Sequence, residues 1–113
     1  MQSRLEQLKA FLAESPNDSF LKYAIASEYL KLGEEDTALN GFKDLVAQDP
    51  DYVGTYYHLA KLLVSLKQID EAIQVYQSGM LVAQKQRNMH AYGELKAAWM
   101  LLTGADEDED DDL

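Results

Sequence analysis

The stretch Tyr23-Ala24-Ile25-Ala26-Ser27-Glu28-Tyr29-Leu30-Lys31-Leu32-Gly33 and its echo Tyr57-His58-Leu59-Ala60-Lys61-Leu62-Leu63-Val64-Ser65-Leu66-Lys67, 34 residues later, decide the fold. At this shift Tyr23 falls on Tyr57, Ala26 on Ala60, Leu32 on Leu66, Asp36 on Asp70 and Ala38 on Ala72. Ile25 with Leu59, Leu39 with Ile73 and Phe42 with Tyr76 are near matches, small on small and aromatic on aromatic. A fixed period of this kind marks a chain of stacked supersecondary units.

Within each unit the apolar residues recur at three and four, the helical spacing, with one interruption near the middle. In the first unit Ile25, Ala26, Tyr29 and Leu32 form one face. Gly33 supplies a left-handed residue that ends the helix, and Ala38, Leu39, Phe42, Leu45 and Val46 resume the pattern. Asp49-Pro50-Asp51 stops the second helix, because proline disfavours a helical residue before it and has no N–H to donate. The second unit runs through Leu59, Ala60 and Leu63, turns at Lys67-Gln68 and continues with Ala72, Ile73, Tyr76 and Met80. Each unit is therefore read as two antiparallel helices.

Outward from the units, Ser3-Arg4-Leu5-Glu6 reads as a capping box opening a helix with Leu5, Leu8, Phe11 and Leu12 on one side. Ser15-Pro16-Asn17-Asp18 ends that helix and starts the next. After Gln84-Lys85-Gln86-Arg87-Asn88 a last amphipathic helix carries Leu95, Ala98, Trp99 and Leu102. The expectation is an all-α protein of antiparallel helix-pair repeats with about six helices. It forms a single domain over 1–104: an N-terminal helix at 3–14, repeats at 19–52 and 53–86, and a capping helix at 88–102. Residues 105–113 form a disordered acidic tail, having too little apolar surface to fold alone.

The chain has 113 residues, enough for one domain. Its formal net charge is −10, but seven of its 20 acids lie in 106–112, which leaves 13 acids against 10 bases in the body. Such a field repels phosphate backbones, and no Lys/Arg stripe offsets it, so nucleic acid is not expected as a partner. There is no cysteine, which removes disulfides, thiolate metal sites and cysteine nucleophiles. The start of the chain runs straight into an amphipathic charged pattern, and no window resembles a membrane span. A soluble cytoplasmic protein is expected, with no membrane partner.

These residues resemble the tetratricopeptide repeat family, in its small bacterial type. The carriers in the first unit are Ile25-Ala26-x-x-Tyr29, Ala38-x₃-Phe42 and Pro50, with Lys22 at the initial aromatic position. In the second they are Tyr56-x-x-Leu59-Ala60, Ala72-x₃-Tyr76 and Gly79, with Leu63 for tyrosine, Lys67 for the turn glycine and Gln84 for proline. The end helices look like a preceding second half-repeat and a following first half-repeat. Leu45 stands where the family prefers a small residue.

The resemblance implies a concave face lined by Phe20, Tyr23, Ser27, Leu30 and Lys31, then Tyr57, His58, Lys61, Val64 and Ser65, then Tyr92 and Lys96. Its tyrosines offer contact area and its lysines meet an acidic or carboxylate-bearing peptide. The plainer alternative for Tyr23 and Tyr57 is packing between helices. Some family members hold a terminal carboxylate in a cradle of lysine, asparagine and arginine. The matching positions here, Tyr23, Ser27, His58, Asn88 and Tyr92, cannot build that cradle.

No residue constellation for catalysis is visible, and no cofactor or metal is expected. His58 and His90 lack companions at ligand spacing and fit groove lining or surface packing better. Trp99 is expected to cap the end of the array, with a partner's hot spot as the alternative. The acidic run either aids solubility or docks on a basic partner. The function implied is a non-enzymatic adaptor holding a peptide or helix of another protein. The alternative is a structural protein acting through homo-oligomerisation, for instance as a homodimer.

Overall fold

The computed structural model describes residues 2–105. Among them lie six α-helices and no strand: α1 (Arg4–Glu14), α2 (Ser19–Lys31), α3 (Glu35–Gln48), α4 (Gly54–Ser65), α5 (Ile69–Lys85) and α6 (Met89–Thr103). The expected all-α class and helix count hold. The acidic run 106–112 lies outside the described residues.

Local chemistry explains the helix ends. Ser3 Oγ accepts the Glu6 N–H at 3.1 Å while Glu6 Oε1 accepts the Ser3 N–H at 3.4 Å, the reciprocal capping box that opens α1. Asp18 caps α2 through the Leu21 N–H, and Asn88 caps α6 through the Ala91 N–H. Three helices close in one way. After α2 the Glu34 N–H reaches the Tyr29 carbonyl at 2.9 Å, and after α4 and α5 the Gln68 and Asn88 N–H groups reach Leu63 and Ala83 at the same distance. Such a closure needs one left-handed residue. Gly33 supplies it at φ 81, but Lys67 at φ 64 and Arg87 at φ 58 supply it with a Cβ in place.

The 34-residue register extends beyond the two units. The C-cap of α1, Ser15 (φ −136, ψ 71), has the conformation of the C-cap of α3, Asp49 (φ −140, ψ 75). Each is followed by proline, and each carbonyl accepts an N–H three residues on, from Asp18 at 3.0 Å and from Tyr52 at 3.1 Å. Thus α1 has the register and the ending of the second helix of a pair. In the other direction α5 starts 34 residues after α3 but runs 17 residues against 14, because Gln84 replaces the Pro50 that stops α3.

The chain divides between Thr55 and Tyr56 into two compact units. In the first, α1 and α3 both pack on α2 around Leu8, Ala24, Ala26, Ala38, Phe42 and Leu45. In the second, α5 packs on α6 and the core includes Leu59, Ala60, Leu63, Ala72, Tyr76, Ala83 and Leu95. Small residues mark the close approaches. A Cβ on Gly79 of α5 would stand 2.6 Å from the Tyr56 Cβ, so only glycine lets α5 lie this near α4. In the first unit the tight point is one helical turn earlier, at Gly41, whose Cβ would stand 3.1 Å from that of Ala26.

Leu45 finds its explanation here. Lys22 and Leu45 occupy the positions of Tyr56 and Gly79 in the other repeat. The second unit places its bulk on the first helix of the pair, and the first unit places it on the second helix. Each pair of positions carries one large apolar side chain, opposite glycine in the second unit and opposite Lys22, which is bonded to Gln48, in the first.

Candidate interaction surfaces

In the first unit, α2 presents Phe20 and Tyr23 together. Phe20 is 55% exposed, with its ring 6.5 Å from that of Tyr23. Tyr23 is half-buried, its ring 6.2 Å from Phe42 and 6.1 Å from Tyr52. Burial raises the Tyr52 phenol above its ordinary range, with Tyr23, Asp18 and Asp49 adding to the shift. Lys31 is exposed and lies apart from this cluster, 3.9 Å from Glu28, which also faces Arg4 at 3.8 Å. Ser27 turns its hydroxyl inward, where Oγ has no hydrogen-bond partner. Leu30 is partly buried beside it in sequence.

The same unit carries a cleft of about 360 Å³ that the expectations did not contain. Ile25, Ala26 and Tyr29 of α2 line it with Gly41 and Leu45 of α3 and Leu12 of α1. Lys22 and Gln48, joined at 2.7 Å, stand among its polar groups. Gly41 borders this space beside its close approach to Ala26.

In the second unit Tyr57, His58 and Lys61 come together on α4. The Tyr57 ring stands edge-on to His58 at 5.6 Å and to Tyr76 of α5 at 6.3 Å, and the exposed Lys61 holds Nζ 5.9 Å from its centre. That distance suits attraction between an ammonium and a ring face. Burial lowers the His58 pKa below 6.5, Lys61 lowers it further, and Glu94 of α6 opposes them. Burial likewise raises the Tyr76 phenol, with Tyr57 adding to it.

The Tyr–Lys arrangement recurs on α6, where Lys96 Nζ stands 5.9 Å from the centre of the Tyr92 ring. Tyr92 does not stand on Tyr57's pattern in every respect. Tyr23 has Phe42 and Tyr57 has Tyr76 as ring neighbour on the following helix, whereas no helix follows α6 among the described residues. Tyr92 instead lines an open cleft of about 410 Å³ with Trp99 and with Gln77, Met80, Leu81 and Gln84 of α5. Trp99, expected as an end cap, is partly exposed here, and its buried Nε1–H has no acceptor. His90 pairs with Glu94 at 2.8 Å on the exposed side of α6. Among the described residues no three His, Cys, Asp or Glu gather into a potential metal site, and no helix is long and apolar enough to cross a membrane.

Paired antiparallel helices at a 34-residue period, closed by left-handed turns and drawn together at alanine and glycine, define an α-helical tandem-repeat protein. The sequence pattern of the tetratricopeptide repeat family matches residues 29–98, and the chain belongs to that family. It is similar to a tetratricopeptide repeat domain protein from Salinibacter ruber, solved in solution, at 42% identity and TM-score 0.76, covering 81% of this chain and 93% of that one. Its fold is also similar to the TPR2B domain of yeast Sti1 in its pHsp70 complex: 15% identity, TM-score 0.79, 88% of this chain and 80% of that one. PcrH in complex with the chaperone binding region of PopD gives 17% identity and TM-score 0.78, over 88% of this chain and 76% of that one. No protein of curated function matches.

Proposed function

We propose that this chain is a non-enzymatic protein-interaction module that holds a peptide or helix of a partner protein on the faces of its first-type helices. The observation that carries the reading is the Tyr57–His58–Lys61 cluster on α4, an ammonium held over a ring beside an imidazole that is neutral at pH 7. Lys96 over Tyr92 repeats its first two members. An aromatic face joined to a lysine suits an acidic or carboxylate-bearing segment, with the ring supplying area and the ammonium orientation. Two proteins of similar fold, the Sti1 domain and PcrH, were each solved with a partner bound. Phe20 and Tyr23 offer a second aromatic patch on α2, with Ser27 and Lys31 further along the same helix.

Affinity capture from the native cell, read by mass spectrometry, tests the proposal with wild type against Lys61→Glu. Lys61 is exposed, so the reversal leaves the core alone. Recovery of the wild type's partners should fall on the order of tenfold or more, as expected when a charge that orients a partner is inverted. Equal recovery by both proteins overturns the α4 site.

A further inference from the structure

Glu94 of α6 is the group that the chain's two histidines share. His90 Nε2 stands 2.8 Å from Glu94 Oε1, one turn away on the exposed side of α6. On α4, His58 is half-buried with its ring 5.6 Å from that of Tyr57. The charges that act on it are Lys61 of its own helix and Glu94 of α6. These four groups lie in the second compact unit, on the helix proposed above to meet the partner and on its neighbour.

Their charges depend on two imidazoles. With both neutral, the four groups carry one charge of each sign, Lys61 against Glu94, and offer an acidic segment no net attraction. With both protonated they carry a net two positive charges. His90 then offsets Glu94 through the bond the two already share, and His58 joins Lys61 beside the Tyr57 ring. Imidazole is the side chain that makes this change between about pH 8 and pH 5. Burial first, and Lys61 after it, hold His58 back from charging in the free protein. A carboxylate laid against Lys61 relieves the second of these, so proton and acidic segment favour each other's binding.

We infer that acid tightens the hold of this face on an acidic segment: protonation of His58 and His90 around Glu94 turns a balanced Lys61–Glu94 pair into a surface of net positive charge. The inference rests on the proposed use of α4 as the site for such a segment. It adds a condition to that reading, because Glu94 offsets Lys61 until the histidines charge.

The probe is a rhodamine-labelled peptide of alternating aspartate and leucine, whose acids stay ionised down to about pH 5. Its fluorescence anisotropy is titrated with the whole chain at pH 7.5 and pH 5.0, and circular dichroism checks that each protein is folded at both. Wild type should bind the probe on the order of three- to tenfold more tightly at pH 5.0, since each added charge near the surface contributes a small factor. His58→Gln and His90→Gln together should remove most of that gain, leaving what the chain's other carboxylates contribute as they begin to protonate. Glu94→Gln should tighten binding at pH 7.5 by about threefold, because it removes the opposing charge without a proton. A gain that persists undiminished in the double variant, or wild type that does not bind the probe at pH 5.0, overturns the inference. If Lys61→Glu weakens binding at both pH values while wild type shows no gain, the α4 site stands and the acid dependence falls. If Lys61→Glu binds as wild type does at both, the α4 reading itself fails and takes the inference with it.

Discussion

The two repeats reach one geometry by opposite distributions of bulk. The first pairs Lys22 with Leu45 and narrows at Gly41, whereas the second pairs Tyr56 with Gly79. The first closes its turn with Gly33 and stops its second helix at Pro50. The second makes the same turn with Lys67 and lets α5 run on through Gln84. What differs between them is which helix supplies the large apolar side chain, the second at Leu45 and the first at Tyr56, and a close-packed interior can be filled from either side.

The strongest test of that compensation is to break it in the first repeat. Leu45→Gly removes a side chain that is 1% exposed and places glycine inside a helix. Together these should destabilise by about 3–5 kcal/mol, read by urea denaturation. Adding Lys22→Tyr, which copies the Tyr56–Gly79 pair, should recover a substantial part of the loss. A double-mutant cycle with no coupling between the two sites would show that the repeats are not exchanging bulk across this contact.

The glycines sharpen the comparison at a smaller scale. Gly79→Ala sets a methyl 2.6 Å from the Tyr56 Cβ and 3.1 Å from Leu95, so overpacking of about 1–3 kcal/mol outweighs the helix propensity gain of about 1 kcal/mol. Gly41→Ala meets only Ala26, at 3.1 Å, and the two effects should nearly cancel. Chemical denaturation of both variants should therefore show a clear loss for Gly79 and little change for Gly41. Equal losses would place the two approaches on the same footing.

Smaller again is the turn. Lys67 holds a left-handed conformation that costs a side-chain-bearing residue about 1–2 kcal/mol, and glycine returns part of this to unfolded-chain entropy. Lys67→Gly, copying Gly33, should stabilise by about 0.5–1 kcal/mol, seen as a raised Tm. Gly33→Lys should lower it by a similar amount.

These contrasts explain which features were legible in the sequence. Caps and turns are local: Ser3 with Glu6, Pro16, Gly33 and Pro50 act on residues within one turn of themselves, and each reads directly from its neighbours. The role of Leu45 was not legible, because it depends on what Lys22 does on another helix. Both lie at the 34-residue offset from Tyr56 and Gly79, so the reciprocal exchange was present in the alignment as two departures that needed to be read together. The surfaces were legible by residue type and less so by direction. Tyr57 and Lys61 came together as their spacing on α4 allows, but Tyr92 lines a cleft with Trp99, since no helix covers that side among the described residues. The α5 wall of that cleft carried one signal in advance: Gln84 in place of proline, which lets the helix extend far enough to form it.

The last contrast is electrostatic and the smallest. His58 sits where the first repeat has Ala24, so the second repeat alone carries a titrating group at this position. Burial, then Lys61, depress its folded pKa below the unfolded value of 6.5, with Glu94 in opposition. Between the two pKa values the unfolded chain binds more protons, so stability rises with pH there. The contribution is fully present above about pH 6.5 and is lost as the pH falls from there toward the depressed folded pKa. Thermal melts at pH 7.5 and pH 5.5 should show a Tm decrease on acidification that is smaller in His58→Gln, while Ala24→Gln leaves the pH-dependence of the first repeat unchanged. An undiminished decrease in His58→Gln would assign the acid sensitivity to carboxylates and remove His58 from the difference between the repeats.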